Sequence, residues 1–206
     1  MQSWLPLTFM IVEKRTGENK SISYPQAIGM ADYLWQQTMN ERIAHEAERM
    51  KQQQVGDTPS TVVEMIGRFE LKNNQREVLS LSLSNYTYHE KAAHGMTLMH
   101  SLTFDLASKQ ECQLHSLFKP GSNYVDRLSE LIALQIKERD IPLLDGFSVI
   151  QPNQAFYMAD KTLVIYFQLY EISPYVVGFP MFPISVFALQ DIINVHGPLG
   201  RMAVNQ

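Results

Sequence analysis

Leucine and serine alternate without interruption over residues 79–84, and this pattern limits the fold more than any other feature of the sequence. Successive side chains of a β-strand point to opposite faces of a sheet, so a period of two predicts a strand with one face against a core. Similar alternation covers residues 63–71 and 96–106. Because short polar turns separate these strands, the sequence indicates an antiparallel meander with one buried face.

Two other segments have the period of an α-helix. Apolar residues recur every three or four positions over residues 26–53, and Pro25 stands where a helix tolerates proline, at its start. A second helix follows Ser122 or Asn123, either of which is a good cap. Strands then return, and residues 162–170 are so apolar that we expect a central strand. The predicted fold class is α+β, an antiparallel sheet meander with two main helices packed on it.

Composition excludes several classes of protein. A chain of 206 residues can bury about 70% of the surface that its unfolded form exposes, so it needs no disulfide or metal to fold. The 17 Lys and Arg against 21 Asp and Glu give a net charge of −4, which does not indicate a nucleic-acid partner. The single cysteine, Cys112, rules out an intrachain disulfide and a cysteine-based zinc site. We expect no cofactor and no metal.

The start of the sequence carries no targeting signal. The apolar stretch of residues 7–12 is far shorter than the ~20 residues that span a bilayer. Its positive charges follow the apolar stretch, whereas a signal peptide has them before it. We therefore expect no membrane span in this chain and a cytoplasmic location.

Catalytic chemistry has little local support in this sequence. Gly-rich phosphate loops, Gly-x-Ser-x-Gly and His-Glu-x-x-His are all absent. Cys112 paired with a histidine is a weak candidate nucleophile, and an inert buried thiol is the favoured interpretation. The spacing of His89, His94 and His100 fits packed or turn histidines better than a metal site. Glu171 directly follows the central strand and is a candidate acid or base, although a solvated or cap-bonding role is favoured.

The most distinctive feature outside the predicted core is the run of residues 170–183. It contains Pro174, Pro180 and Pro183 among aromatic residues, which predicts a stiff loop or a sheet edge. Rigid Tyr and Phe side chains lose little entropy when they dock a protein or stack on a sugar. The alternative, that Tyr175 and Phe179 fill the core beneath a loop, stays open.

Several short motifs carry a family resemblance. They occur in order along the chain as Asn85-Tyr86-Thr87-Tyr88, Ala93-His94-Gly95, Phe104-Asp105-Leu106, Leu117-Phe118, Tyr166-Phe167-Gln168 and the Tyr-Glu-x-x-Pro-Tyr-x-x-Gly of residues 170–178. The series resembles the C-terminal half of the extracytoplasmic region of RsiV-type anti-sigma factors, a module that also precedes the catalytic domain of PdaC-type peptidoglycan deacetylases. Residues 22–26 and the long helix that follows resemble the smaller module before it.

The resemblance implies two intimately associated sub-modules. Residues 1–58 form an N-terminal strand hairpin with the long helix, and residues 59–206 form an RsiV-like α+β module. It also implies direct binding of lysozyme and a location outside the membrane, as an alternative to the cytoplasm. The recognition surface that it implies consists of His94, Tyr170, Glu171, Pro174, Tyr175 and Phe179. The chain departs from the family at Lys91-Ala92-Ala93-His94, where two glycines usually precede the alanine.

Two functional hypotheses follow. The first is a non-enzymatic binding module that recognises lysozyme, another basic protein, or peptidoglycan fragments of the cell wall. The second is a small cell-wall-related hydrolase that uses Glu171 or His94. We favour the first, because no catalytic constellation stands out while a stiff aromatic segment does.

Overall fold

The computed structural model describes residues 6–204 and confirms the α+β class. The described helices and strands are, in chain order, β1 (Thr8–Gly17), β2 (Lys20–Ile28), α1 (Tyr33–Val55), β3 (Val62–Gln75), β4 (Val78–His89), β5 (Met96–Asp105), β6 (Gln110–Glu111), α2 (Tyr124–Glu138), β7 (Phe156–Ala159), β8 (Thr162–Tyr166), β9 (Met181–Ser185) and α3 (Pro198–Ala203). Six strands form one sheet in the order β1 to β6, and β7, β8 and β9 form a second sheet in that order.

The chain divides into two compact units. Unit 1 comprises the described residues up to Leu71 together with Leu81–Leu102. Unit 2 comprises Lys72–Ser80 together with the described residues from Thr103 onward. The modules predicted at residues 1–58 and 59–206 concern resemblance to other proteins rather than packing, and they stay a prediction.

The first helix begins later than its periodicity predicts. Residues 26–28 belong to β2, and α1 starts at Tyr33. Gly29 has a positive φ of 72°, a conformation that only glycine adopts without strain, and it ends the strand. Asp32 then caps the helix, because its side chain accepts a hydrogen bond of 3.0 Å from the Trp35 N–H. The predicted start was wrong because two apolar residues of the strand happen to fit the helical spacing.

Pro25 therefore lies in a strand, paired with Ile11 of β1. It shares its parity with Ala27, whose backbone N–H and C=O both bond to the Asn40 side chain of α1 at 2.8 and 2.9 Å. The backbone groups of this parity thus face away from β1, so the missing N–H of proline removes no bond from the β1–β2 ladder. Asn40 takes the place of a neighbouring strand at this edge.

One strand pair departs from the predicted antiparallel meander. β2 and β3 run parallel, with Lys20–Ile22 opposite Met65–Gly67. Parallel neighbours need a crossover connection, and α1 supplies it between the two strands. The β1–β2 and β5–β6 pairs are antiparallel, as expected.

β4 is buried on both faces, whereas the alternating sequence predicts one. Leu79 and Leu81 are fully buried, and Ser80 and Ser82 on the opposite face are buried as well. Serine is small enough to lie under a second layer, but its hydroxyl then needs a hydrogen-bond partner. The Ser80 Oγ lies 2.8 Å from the Thr103 Oγ1 of β5 and accepts the Met158 N–H of β7 at 3.0 Å. Within unit 2, this hydroxyl connects the two sheets.

The core of unit 2 packs α2 against the second sheet. Leu128, Ile132 and Ile136 form the buried stripe of α2. β8 is the central strand of its sheet, as predicted, but it ends at Tyr166 instead of residue 170. On the edge strand β9, the carbonyl oxygens of Met181 and Pro183 accept hydrogen bonds from α2 side chains, Arg139 at 2.7 Å and Gln135 at 2.9 Å.

A buried carboxylate organises one face of α1. Glu46 is buried, and it accepts hydrogen bonds from Arg49 at 2.6 Å and Arg42 at 2.8 Å. His100 of β5 lies 3.4 Å from the same carboxylate. Burial alone would raise the pKa of Glu46, but the hydrogen bonds from Arg49 and Arg42 outweigh it and lower the pKa to about 2.

The bridging role of Ser80 predicts a stability difference between two buried serines of one strand. Ser80→Ala leaves the Met158 N–H and the Thr103 hydroxyl without this partner, so we expect a loss of roughly 1–3 kcal/mol in the free energy of unfolding. Ser82→Ala is the matched control, since Ser82 is buried on the same face and makes no side-chain hydrogen bond in the described part of the chain. Urea unfolding monitored by circular dichroism measures both. Equal losses would contradict the bridge.

The low pKa of Glu46 predicts a pH dependence of stability. A carboxyl group whose pKa is lower in the folded than in the unfolded state stabilises the fold above its unfolded pKa. That contribution is therefore present above about pH 4.5 and is lost as the pH falls towards about 2. Glu46→Gln should be less stable than the parent at pH 7, and the difference should shrink over this acid range.

Thermal unfolding from pH 7 to pH 2.5 checks this, with Glu130→Gln on the exposed face of α2 as the control. A difference between Glu46→Gln and the parent that stays constant with pH would show that the carboxylate's charge contributes nothing.

Candidate functional site

The loop between β8 and β9 carries most of the predicted binding residues. We call residues 170–179 the aromatic segment. The loop opens from a closed base, since Tyr166 pairs with Met181 and the Phe167 N–H donates to the Pro180 carbonyl at 3.0 Å. The backbone that enters and leaves the aromatic segment is thus fixed by the second sheet.

Glu171 holds the first turn of this loop. One carboxylate oxygen accepts the Gln168 N–H at 2.6 Å, and the other accepts the Gln154 side-chain amide at 3.0 Å. The same Gln154 amide nitrogen donates to the Tyr166 carbonyl at 3.1 Å. We call this arrangement the Glu171 latch. It places Tyr170 with a positive φ of 64°, which aims its ring away from the path of an ordinary strand.

The second half of the aromatic segment is fixed by its backbone. The Ile172 carbonyl accepts the Leu144 N–H at 3.0 Å, and Ser173 is fully buried. Pro174 then begins a short 3₁₀ turn that ends at Gly178, whose φ of 75° favours glycine. The two halves together hold the aromatic segment in one conformation.

This backbone presents an apolar surface to solvent. Tyr170 is 46% exposed, Tyr175 36% and Val176 88%. The two tyrosine rings lie 5.5 Å apart between centroids, with an angle of 32° between their planes. We call these three side chains the tyrosine platform. Pro174 and Phe179 are only half-exposed beside it.

The structure separates the predicted site residues into two groups. Tyr170, Glu171, Pro174, Tyr175 and Phe179 lie together on one loop of unit 2. His94 belongs to unit 1, where it is exposed in the connection between β4 and β5 and bonds the Gly95 carbonyl at 2.8 Å. We therefore build the candidate site without His94.

Sequence reasoning missed two parts of the site. Val176 is the most exposed large apolar residue of the platform, but a valine among aromatic residues gave no sign of exposure. The Glu171 latch depends on Gln154, which lies 17 residues earlier in the sequence. Only the spacing of three between Gln168 and Glu171, typical of a side chain that bonds a nearby backbone N–H, hinted at the latch.

The other candidate chemistries have structural explanations. Burial raises the pKa of the Cys112 thiol to about 12, which keeps it protonated and unreactive at neutral pH. His89 bonds the Thr61 hydroxyl and the Gln54 carbonyl, and His100 contacts Arg49. Within residues 6–204, no group of three or more His, Cys, Asp or Glu side chains is arranged to hold a metal ion. Over the same residues, no helix has the length and hydropathy that crossing a bilayer requires.

The fold and this loop define a class of protein. Residues 115–186, which include the aromatic segment, match the family model described as "Protein of unknown function (DUF3298)". A crystal structure of a DUF3298 family member from Bacteroides fragilis NCTC 9343 superimposes with a TM-score of 0.69 at 13% identity, covering 96% of this chain and 98% of that one. A DUF3298 family protein from Pseudomonas aeruginosa PAO1 gives a TM-score of 0.69 at 14% identity, covering 98% and 99%.

The chain thus contains a DUF3298 domain and has the fold of DUF3298 proteins. At these identities the structural likeness shows the fold alone. None of the curated proteins matches the sequence. The resemblance to RsiV-type anti-sigma factors is a finer statement than these matches and stays a prediction.

The Glu171 latch predicts a structural cost for a change that an acid–base role would not predict. In Glu171→Gln, the new amide turns a donor towards either the Gln168 N–H or the Gln154 amide. We expect a loss of roughly 1–3 kcal/mol in the free energy of unfolding, because a donor is left facing a donor. Urea unfolding measures it, with exposed Glu18→Gln as the control, which should lie within about 0.5 kcal/mol of the parent. A Glu171→Gln variant as stable as the parent would contradict the latch.

Proposed function

We propose that the chain is a non-enzymatic binding module whose tyrosine platform docks a basic protein of the lysozyme type. The observation that carries the proposal is the exposed pair of Tyr170 and Tyr175 beside Val176, which is 88% exposed, on a loop with a fixed backbone. Large apolar side chains clustered in solvent are typical of interaction sites.

The composition of the platform suits a binding hot spot. Tyrosine is enriched among the residues that contribute most to protein interfaces, since its ring supplies a large contact area with only two rotatable bonds. The loop is already ordered by the Glu171 latch and the Ile172 backbone bond, so docking would order little further.

Two observations favour a protein partner over a glycan. Val176 is the most exposed member of the platform, and a branched aliphatic side chain offers no flat face for a sugar ring. The net charge of −4 favours a basic partner through long-range attraction, although it does not select one. Peptidoglycan fragments are the alternative ligand at the same surface.

The hydrolase alternative has weaker support. Both oxygens of the Glu171 carboxylate accept hydrogen bonds that hold the loop, so the group serves the backbone around it. His94, the other proposed catalytic residue, belongs to unit 1 and bonds its neighbour's carbonyl. We place neither residue in a catalytic role.

Calorimetric titration with a C-type lysozyme tests the proposal, at moderate salt to suppress non-specific charge pairing. We expect one-to-one binding, weakened roughly tenfold or more, about 1.4 kcal/mol, by Tyr175→Ala and by Val176→Ala. Val195→Ala is the matched control, since Val195 is an exposed valine of the same unit outside the platform, and it should bind as the parent does.

The outcomes separate the partner from the site. The absence of saturable heat with lysozyme would contradict the lysozyme-type partner, and a titration with muropeptides would then test the glycan alternative. Binding that Tyr175→Ala and Val176→Ala leave unchanged would contradict the tyrosine platform as the site.

A further inference from the structure

A second concave surface lies in unit 1, beside the first half of α1. The cleft has a volume of about 310 Å³. Its lining comes from β2 and α1 and consists mainly of uncharged polar side chains, among them Gln26, Tyr33, Gln36, Gln37, Asn40 and Glu41. It shares no residue with the tyrosine platform.

The chemistry of this lining selects a class of ligand. The lining contains no Lys, Arg or His, so it has no cation to attract a phosphate or a carboxylate. Its only aliphatic side chain is Ala44, so it offers little to an apolar ligand. Four of its side chains are amides, and each amide both donates and accepts hydrogen bonds.

Only part of this hydrogen-bonding capacity is used within the described chain. Asn40 is fully engaged with the Ala27 backbone, and it fixes the floor of the cleft. Gln36 accepts the Met30 N–H at 2.9 Å, which leaves its amide nitrogen as a donor. Gln37 donates to Glu41 at 2.8 Å, which leaves its carbonyl oxygen and the second Glu41 oxygen as acceptors.

Two further groups complete the lining. The Gln26 side chain makes no hydrogen bond in the part of the chain that the structure describes, so both its amide groups are available to a ligand. Tyr33 opens α1 with 67% of its surface exposed, and its ring supplies a flat apolar face at the rim. Donors and acceptors therefore alternate around the cleft, beside one aromatic ring.

We infer that this cleft binds a neutral oligosaccharide. Sugar hydroxyl groups both donate and accept, which matches a wall of amides, and the apolar face of a sugar ring stacks on tyrosine. The volume of about 310 Å³ lies at the lower end of the ~300–1,000 Å³ of ligand pockets, which suits one or two sugar rings. The inference goes beyond the proposed docking of a protein and does not depend on it.

The test uses the full chain and two probes, cellotetraose and tetra-N-acetylchitotetraose, which differ in their acetamido groups. Titration of ¹⁵N-labelled protein by NMR up to about 5 mM sugar detects dissociation constants in the millimolar range. We expect saturable shifts at residues of the cleft with at least one probe, and unshifted resonances in the tyrosine platform.

A matched pair of variants locates the site. Gln37→Ala removes an amide that bonds a glutamate four residues away and lines the cleft, and it should weaken binding at least fivefold. Gln52→Ala removes an amide in the same kind of pair, with Glu48 on the same helix, outside the cleft, and it should leave affinity unchanged. Tyr33→Ala should weaken binding similarly, and Tyr175→Ala should not.

Each result decides the inference. Saturable binding of one probe that Gln37→Ala weakens and Gln52→Ala does not would support it, and the probe that binds tells whether acetamido groups are recognised. The absence of binding by both probes would overturn it, as would equal effects of Gln37→Ala and Gln52→Ala. Because Tyr175→Ala tests the other surface, failure here leaves the lysozyme titration unaffected.

Discussion

A buried hydroxyl on β4 sets the condition that unit 2 has to meet. The second face of β4 is covered, so a polar group on that face must find partners within the protein or destabilise it. Ser80 meets this condition by bonding a side chain of β5 and the outward backbone N–H of β7. The exposed edge of the second sheet is thereby paired at Met158. A leucine at this position would fill the space but leave that edge unsatisfied.

Charged side chains serve the backbone and the core in several parts of this fold. Glu171 closes a loop, and Arg139 covers a carbonyl of the edge strand β9. Glu46 is ionised in a buried position because two arginines donate to it. These uses explain why a search for catalytic acids by position alone found candidates without a constellation, since the acids are occupied by structural hydrogen bonds.

Much of the fold could be predicted from the sequence, because local periodicity reports local structure. The alternation of residues 79–84 predicted β4, but it could not show that a second layer covers Ser80, since that layer comes from residues far along the chain. The start of α1 was missed because Ala27 fits the helical period by chance, while the capping residue Asp32 was the better signal. Tyr175 was recognised as a candidate from its proline-rich surroundings.

The remaining parts of the sites depend on contacts between distant residues. Gln154 meets Glu171 only after β7 and β8 pair, and Gln26 lines a cleft only because α1 lies beside β2. Periodicity contains no information on such meetings. The parallel pairing of β2 with β3 was missed for the same reason, since direction follows from how α1 returns the chain.

The aromatic segment divides its work between two sets of residues. Glu171, Ile172 and Gly178 hold the backbone, while Tyr170, Tyr175 and Val176 face outward. Substitutions in the outward set would alter which molecule is recognised without disturbing the loop's shape. Such an arrangement lets a lineage exchange one partner for another by a few mutations, so proteins that share this fold can diverge in binding preference while their structures stay superimposable.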